Sequence, residues 1–138
     1  MRQIASQKIY RIVDANFNRT KEGLRVCEDI CRFVLDQSSF ARSFKNIRHE
    51  LTQCIASLKI SIVIQARDID GDVGRASTSL ELKRKKMADV FYANSQRVKE
   101  SMRVLEEVTK LLNTNLAVKI KQMRYKVYAL EKKVTQQL

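Results

Sequence analysis

Two stretches of this chain carry the same charged and amide side chains at the same spacing. Residues 15–34 read ANFNRTKEGLRVCEDICRFV, and residues 93–112 read ANSQRVKESMRVLEEVTKLL. The shared frame places a polar residue at every third position: Asn16, Arg19, Glu22, Arg25 and Glu28, repeated as Asn94, Arg97, Glu100, Arg103 and Glu106. A guanidinium grips a phosphate through two N–H donors at once. Arginines contributed by both copies would therefore suit a phosphate-binding cavity.

The same spacing has a second interpretation. Arginine and glutamate three or four residues apart form surface ion pairs along a helix, each worth about 0.2–0.5 kcal/mol. A frame with a period of three winds around a helix, so we expect some of its charges to lie beside apolar residues and to be partly buried. Burial is costly unless the charges are paired or hold a ligand. Both interpretations stay open at this point.

The segment RDIDGDVG, at 67–74, could bind a metal ion. Its acids alternate, but the spacing of Gly and Glu that an EF-hand requires is missing. Magnesium suits the segment better, because one or two carboxylates can hold it while phosphate and water fill its shell. Asp68 and Asp72 are the candidate ligands. The alternative is a solvated turn in which Asp and Gly stabilise tight backbone angles.

Two other features carry less specific signals. The run from Lys83 to Lys86 resembles a nucleic-acid patch, but it contains no aromatic residue for base stacking. We interpret it as a solvated helix face. His49 could bind substrate or act as a general acid or base, whereas its counterpart in the second copy, Tyr125, favours a packing role.

The elements that position these residues are predicted to be helices. The chain has no Pro and only three Gly, and 44% of its 138 residues are hydrophobic. We predict a single all-α domain, 1–138, forming an up-down bundle of four long helices built from two duplicated hairpins. The predicted helices lie at about 6–36, 39–65, 79–112 and 115–137, and a loop over 66–78 joins hairpin one (about 6–65) to hairpin two (about 79–137). Thr78 and Glu81 fit a capping box at the start of the third helix.

Composition narrows the class of partner. The formal charge of +12 indicates an acidic partner such as nucleic acid, an anionic membrane or a phosphorylated small molecule. No apolar run is long enough for a membrane span, and the first residues do not resemble a signal peptide. The three cysteines are odd in number and there is one histidine, so neither a disulfide framework nor a zinc site is expected. We expect reduced thiols and a cytoplasmic location.

Several motifs together resemble a known family. The chain is similar to the helical domain that occurs alone or fused to the N-terminus of thiamine-phosphate synthase, a family assigned as hydroxymethylpyrimidine-phosphate kinases. The resemblance covers nearly the whole chain and departs from the family pattern at Ser101 and Met102. The residues that carry it are Arg11 to Asn16, Asn18-Arg19, Glu22 to Arg25, Glu28-Asp29, Ile47 to His49, Arg67-Asp68, Asp72 to Gly74, Asn94, Arg97, Glu100 to Glu107, and Arg124-Tyr125.

The resemblance implies an enzyme that transfers the terminal phosphoryl group of ATP to a phosphorylated pyrimidine, with Mg²⁺ as cofactor. Such a reaction needs positioning and charge neutralisation more than a general base. Arg19, Arg25, Arg97 and Arg103 are then candidate phosphate clamps, with Arg67 as an alternative. Asn16 or Asn94 would read the pyrimidine edge, and Glu22 and Glu100 would orient the arginines.

Two non-catalytic alternatives stay open. One is a basic helical module that binds RNA or a partner protein, which salt-sensitive RNA binding would reveal. The other is an assembly domain whose long helices pair across a homodimer. The partners we expect are a phosphorylated pyrimidine and a nucleotide, rather than a membrane or a nucleic acid.

Overall fold

A computed structural model describes residues 2–79 and 82–138, and all regular structure in those two ranges is helical. The α-helices are α1 (Arg2–Asp29), α2 (Ser38–Ala56), α3 (Ile60–Gln65), α4 (Met87–Thr109) and α5 (Thr114–Thr135). A π-helical turn, Ile30–Val34, continues α1. The prediction of an all-α fold is confirmed. No helix in the described part of the chain combines the length and hydropathy that crossing a membrane requires.

Two helix boundaries differ from the predicted ones. The second predicted helix is interrupted at Ser57–Lys59, where Lys59 adopts a positive φ of 60° and the Ser57 hydroxyl donates to the Cys54 carbonyl at 2.7 Å. The third begins only at Met87, because the Asp89 carboxylate accepts the backbone N–H groups of Lys85 and Lys86 at 3.1 and 3.0 Å. Glu81, and with it the predicted capping box, lies outside the described residues.

The four long helices pack as a ring of neighbours, α1 against α2 and α4, and α5 against α2 and α4. Contacts between them show that each neighbouring pair is antiparallel. On α1 and α4, Thr20 contacts Ser101 and Gly23 lies against Val98, so residue numbers rise on one helix as they fall on the other. Gln37–Gln137 and Glu50–Lys126 show the same for α2 and α5. Helices α2 and α4 therefore both run opposite to α1. The predicted up-down order, in which successive long helices alternate in direction, is not confirmed, because the long segment that separates α2 from α4, made of α3 and the connection 66–86, lets both run the same way.

The core is continuous across all four long helices. On α1 it uses the apolar stripe whose three- and four-residue steps are visible in the sequence. The buried members of this stripe are Val13, Phe17, Thr20, Leu24 and Cys27 on α1, and Cys31 in the π-helical turn that follows. Burial of such side chains is worth about 1.5–3 kcal/mol each, so the core holds the helices in fixed positions.

Helices α1 and α4 approach closely at Gly23. A Cβ atom at this position would lie 2.7 Å from Cγ2 of Val98 and 3.0 Å from the carbonyl oxygen of Asn94. One turn earlier, the hydroxyl groups of Thr20 and Ser101 are 2.6 Å apart in the buried helix interface. This crossing fixes the spacing of the two helices that carry the repeated charged frame.

Candidate functional site

A cavity of about 480 Å³, the central chamber, lies between α1, α4 and the connection after α3. The structure brings together five predicted site residues there: Asn16 and Arg19 from α1, Arg97 and Glu100 from α4, and Asp72 from the connection. Gly74, Arg75, Ser101 and Val104 complete its lining. Guanidinium groups from both copies of the frame thus face one cavity beside the acidic segment.

A second cavity of about 570 Å³, the outer chamber, extends from the central chamber along the first half of α1. The two chambers share Asn16, Arg19 and Asp72, so they form one groove. The outer chamber also contains two other predicted residues, Arg67 and Asp68. Its remaining lining residues are Lys8, Arg11, Ile12, Asp14, Ala15, Asn18 and Ile69.

The four repeated arginines divide into two pairs with different surroundings. Arg25 lies 3.9 Å from Glu28 and 3.4 Å from Asp29 along its own helix. Arg103 makes the equivalent contacts, at 3.5 Å, with Glu106 and Glu107. These two arginines form ion pairs on the helix surface, as the second interpretation of the spacing predicts.

Arg19 and Arg97 differ from Arg25 and Arg103 in the partners of their guanidinium groups. Within residues 2–79 and 82–138, no carboxylate oxygen lies within 4.0 Å of either guanidinium. Arg19 donates a hydrogen bond to Oδ1 of Asn16 at 3.3 Å, which directs it along the groove. An exposed guanidinium beside a cavity and without a protein counter-ion is suited to bind an anion.

The last glutamate of each frame forms a buried ion pair between helices. Glu28 accepts from Nε of Arg48 at 3.1 Å, and Glu106 accepts from Nε of Arg124 at 2.9 Å. Both carboxylates are almost completely buried. These equivalent pairs explain why the charges recur in both copies without any role in binding a ligand.

Glu22 and Glu100 do not make the contacts expected of them. In the described part of the chain neither forms an ion pair with a repeated arginine, and Glu100 accepts a hydrogen bond from Gln96 at 3.0 Å. Arg25 and Arg103 instead reach forward by three and four residues, where two consecutive acids follow in each copy. Glu100 lines the central chamber, whereas Glu22 is exposed outside the two chambers.

Arg67 anchors the connection to α1. Its Nε and Nη2 atoms donate to the two carboxylate oxygens of Asp14 at 2.7 and 2.8 Å, and Asn18 contacts the same carboxylate at 3.2 Å. The hydrogen bond and charge of buried Asp14 raise the pKa of Arg67 above its ordinary value. The sequence did not predict this role for Asp14. Its position beside the apolar residues of α1 could have indicated a buried acid that needs a cationic partner.

Asp68 and Asp72 each use one carboxylate oxygen within the connection. Oδ1 of Asp68 accepts from the Gly71 amide at 2.8 Å, and Oδ1 of Asp72 accepts from the Gly74 amide at 2.9 Å. The second oxygen of each remains for a ligand. Among the described residues, no cluster of three His, Cys, Asp or Glu side chains could hold a metal ion. A cation here would need further oxygens from a bound ligand.

The remaining predicted residues lie in three different settings. Asn16 is buried and donates to the Ile12 carbonyl at 2.9 Å, and Asn94 makes the equivalent bond to Val90 at 2.8 Å. Only Asn16 lines the two chambers. His49 is exposed on α2, which does not line either chamber, so the structure does not bring it to the groove.

The fold and the groove define a small basic helical protein whose two halves present arginines to a common cavity. The model of the ThiD2 family matches residues 11–133, and the chain belongs to this family. Similar proteins include thiamine-phosphate synthases of Nostoc punctiforme (44% identical over 126 residues, 91% of this chain) and Synechocystis sp. (41% over 132 residues, 95%).

A thiamine-phosphate synthase of Rhodopirellula baltica is 35% identical over 130 residues, 94% of this chain. These matches cover 35%, 37% and 35% of the Nostoc, Synechocystis and Rhodopirellula proteins, so the chain spans about a third of the relatives' length. No solved structure matches the chain significantly.

Proposed function

We propose that this protein is an ATP-dependent kinase that converts hydroxymethylpyrimidine phosphate to its diphosphate in thiamine biosynthesis. Membership of the ThiD2 family and the similarity to proteins named thiamine-phosphate synthase support a role in that pathway. One observation carries the choice of a phosphotransferase: Arg19 and Arg97 line the same groove next to Asp72, and neither has a carboxylate partner among the residues that the structure describes.

The reaction requires little acid–base chemistry. An oxygen of the pyrimidine phosphate, already ionised at neutral pH, attacks the γ-phosphorus of ATP. The bond from that phosphorus to the β–γ bridging oxygen breaks, and ADP leaves with the electron pair. Charge on the transferred group is spread over its oxygens, so positioned guanidinium groups provide most of the stabilisation. Arg19 and Arg97 are the residues that would supply it.

The acidic residues fit a magnesium ion only in combination with a phosphorylated ligand. Asp68 and Asp72 each have one carboxylate oxygen that is not used by the connection itself. Mg²⁺ binds through one or two carboxylates plus phosphates and water, and when bound it would neutralise phosphate charge. Asp14 is not available for this purpose, because both of its oxygens contact Arg67.

The arrangement of the halves supports an origin by duplication. The pairs Glu28–Arg48 and Glu106–Arg124 are equivalent, and the Arg25 and Arg103 contacts repeat in the same way. We infer two hairpins related by an approximate twofold axis between α1 and α4. Arg19 and Arg97, the two copies of one position, then lie on opposite sides of that axis. In the proposed reaction the two arginines would together contact both reacting phosphates.

The test is formation of ADP and the pyrimidine diphosphate from Mg-ATP and the pyrimidine monophosphate. We expect Asp72→Asn to lower turnover, because it removes a charge that lines both chambers. Asp70→Asn is the matched control: Asp70 lies in the same segment, lines neither chamber, and has an exposed side chain that pairs with Arg75 at 3.5 Å.

Lys85→Ala separates catalysis from nucleic-acid binding. Lys85 belongs to the basic run and is exposed outside the groove, so turnover should be unchanged. Wild-type protein that forms no ADP while binding RNA with a steep salt dependence would favour the non-catalytic alternative. Full turnover by a correctly folded Asp72→Asn variant would argue against the proposed site.

A further inference from the structure

The outer chamber contains four residues to which no role has yet been given. Lys8, Arg11 and Ile12 belong to α1, and Ile69 belongs to the connection. Ile12 and Ile69 are 40% and 58% exposed, which is unusual for isoleucine in the lining of one cavity. Two uncovered aliphatic side chains next to two cations match a ligand with an apolar planar part and a negatively charged part.

We propose that the outer chamber binds the nucleotide, with the adenine base against Ile12 and Ile69 and the triphosphate directed by Arg11 toward Arg19. This inference rests on the proposed kinase function and adds the position of its phosphoryl donor. The volume of about 570 Å³ lies in the range typical of sites for ligands of this size.

The junction of the chambers supports this orientation. Arg19 and Asp72 line both cavities, so a terminal phosphate extending from the outer chamber would reach the residues that also contact the central chamber. The central chamber is smaller and has Ser101 and Glu100 in its wall. Hydroxyl, amide and carboxylate groups of this kind suit a small polar pyrimidine that carries an amino group. Donor and acceptor phosphates would then meet at Arg19.

The two halves of the molecule differ in the region of the outer chamber. With the offset that aligns residues 15–34 with 93–112, Arg11 corresponds to Asp89 and Asp14 corresponds to Tyr92. Asp89 caps α4 through the amides of Lys85 and Lys86. The combination of the Arg11 cation with the buried Asp14 carboxylate is therefore not repeated at the equivalent positions of α4. We infer one nucleotide per chain and not two.

The connection covers the outer chamber because it is tied down near its start, at Arg67. The Asp14–Arg67 pair is bidentate, and Asp14 is only 4% exposed. Ile69 follows Arg67 by two residues, so this ion pair fixes the position from which the aliphatic side chain reaches the cavity. Two parallel hydrogen bonds between guanidinium and carboxylate fix the geometry of this pair more closely than a single contact would.

An aromatic surface on α5 is the main rival for the nucleotide. Tyr125 and Tyr128 are exposed, with Lys99 5.3 Å from the Tyr128 ring centre and Arg124 5.3 Å from that of Tyr125. Both cations already have carboxylate partners there: Lys99 contacts Glu131 at 3.0 Å, and Arg124 contacts Glu106. Lys99 and Arg124 are thus less suited than Arg11 and Arg19 to receive a triphosphate.

Photolabelling of the full chain with 8-azido-ATP and Mg²⁺, followed by peptide mapping, distinguishes the two surfaces. We expect label in the peptides that contain Ile12 or Ile69. Label confined to the peptides that contain Tyr125 or Tyr128 would overturn the proposal. Competition by unmodified ATP is the control for specific labelling.

Binding of Mg-AMP-PNP, measured by calorimetry, tests individual residues without requiring turnover. Arg11→Ala should weaken binding about tenfold, because a charge-assisted contact is lost. Ile69→Asp should weaken it by a similar factor, because it places a negative charge beside the base. Val73→Asp is the matched control; Val73 is fully exposed in the same segment and lines neither chamber. Unchanged affinity in both test variants would overturn the proposal, as would absence of binding to the wild type.

The same data separate this inference from the proposed function. Binding that depends on Arg11 and Ile69, without ADP formation from the pyrimidine phosphate, would support the nucleotide site and refute the kinase. ADP formation whose KM for ATP is insensitive to both substitutions would support the kinase and place the nucleotide elsewhere. If both proposals hold, Arg11→Ala raises the KM for ATP while the KM for the pyrimidine phosphate stays the same.

Discussion

Replacement of Arg97 by alanine should lower activity strongly, replacement of Arg103 should leave it nearly unchanged, and both should have similar small effects on stability. Arg103 makes two contacts at 3.5 Å along its own helix and its side chain is 56% exposed. Such pairs are worth about 0.3–0.5 kcal/mol each, so the unfolding free energy should fall by less than about 1 kcal/mol. Arg97 is exposed and has no carboxylate partner in the described residues, so its loss should change stability by about 0.5 kcal/mol or less.

The activities should differ widely. An arginine that contacts a transferred phosphoryl group is worth about 10³–10⁵ in turnover. We therefore expect Arg97→Ala to lower kcat about 10³-fold, equivalent to about 4 kcal/mol of transition-state stabilisation. Arg103→Ala should retain most of the wild-type activity, since Arg103 does not line the groove.

The measurements are ADP release under saturating substrates and urea unfolding followed by circular dichroism at the helix band. Arg97→Lys keeps the charge but loses the fork of donors, and its activity should lie between those of wild type and alanine. The reasoning would be refuted if Arg103→Ala lost as much activity as Arg97→Ala. It would also be refuted if the loss in Arg97→Ala simply followed a loss of folded protein.

Three further predictions concern stability. Glu106→Gln should lower the unfolding free energy by about 3 kcal/mol, because the Arg124 side chain, only 10% exposed, loses its counter-ion. Glu107→Gln, at the surface, should lower it by less than about 1 kcal/mol in the same urea experiment. Gly23→Ala should destabilise the protein by about 1 kcal/mol, because overpacking against Val98 and the Asn94 carbonyl outweighs the gain in helix propensity. Gly74→Ala is the control and should be neutral, because its nearest contact would be 3.6 Å. A stabilised Gly23→Ala variant would contradict this reasoning. Burial raises the pKa of Cys31 from 9.0 to about 11. Between these pH values the folded state keeps the thiol protonated while the unfolded state loses the proton, so the unfolding free energy should fall as the pH rises from 9 to 11. Cys31→Thr, which introduces the residue found at the equivalent Thr109, should reduce that slope in urea titrations at each pH; an unchanged slope would contradict the assignment.

The helical fold was predictable because several local signals agree. An apolar stripe with steps of three and four residues, short polar turns and the lack of proline all favour long helices. The break at Ser57–Lys59 was not predictable, because neither serine nor lysine is a strong helix breaker and a positive φ is uncommon for lysine. The late start of α4 was not predicted, because the carboxylate of Asp89 was not recognised as the acceptor of the Lys85 and Lys86 amides.

The site was predictable in composition but not in its internal contacts. The repeated frame identified Arg19 and Arg97, and the glycine-flanked acids identified Asp72. Equal spacing could not show that Arg25 and Arg103 have carboxylate partners, although two consecutive acids follow each of them at the distance of one helical turn. The contact between Asp14 and Arg67 joins residues 53 positions apart, and no local pattern reports such a pairing.

The most direct test of the central claim is an NMR titration of the arginine side-chain Nε–H signals with the pyrimidine phosphate and Mg-AMP-PNP. If the two halves bind one anionic ligand in the groove, the Arg19 and Arg97 signals shift together and saturate, while those of Arg25 and Arg103 remain unchanged. Shifts confined to Arg25 and Arg103, or no saturable shift at Arg19 and Arg97, would contradict the claim.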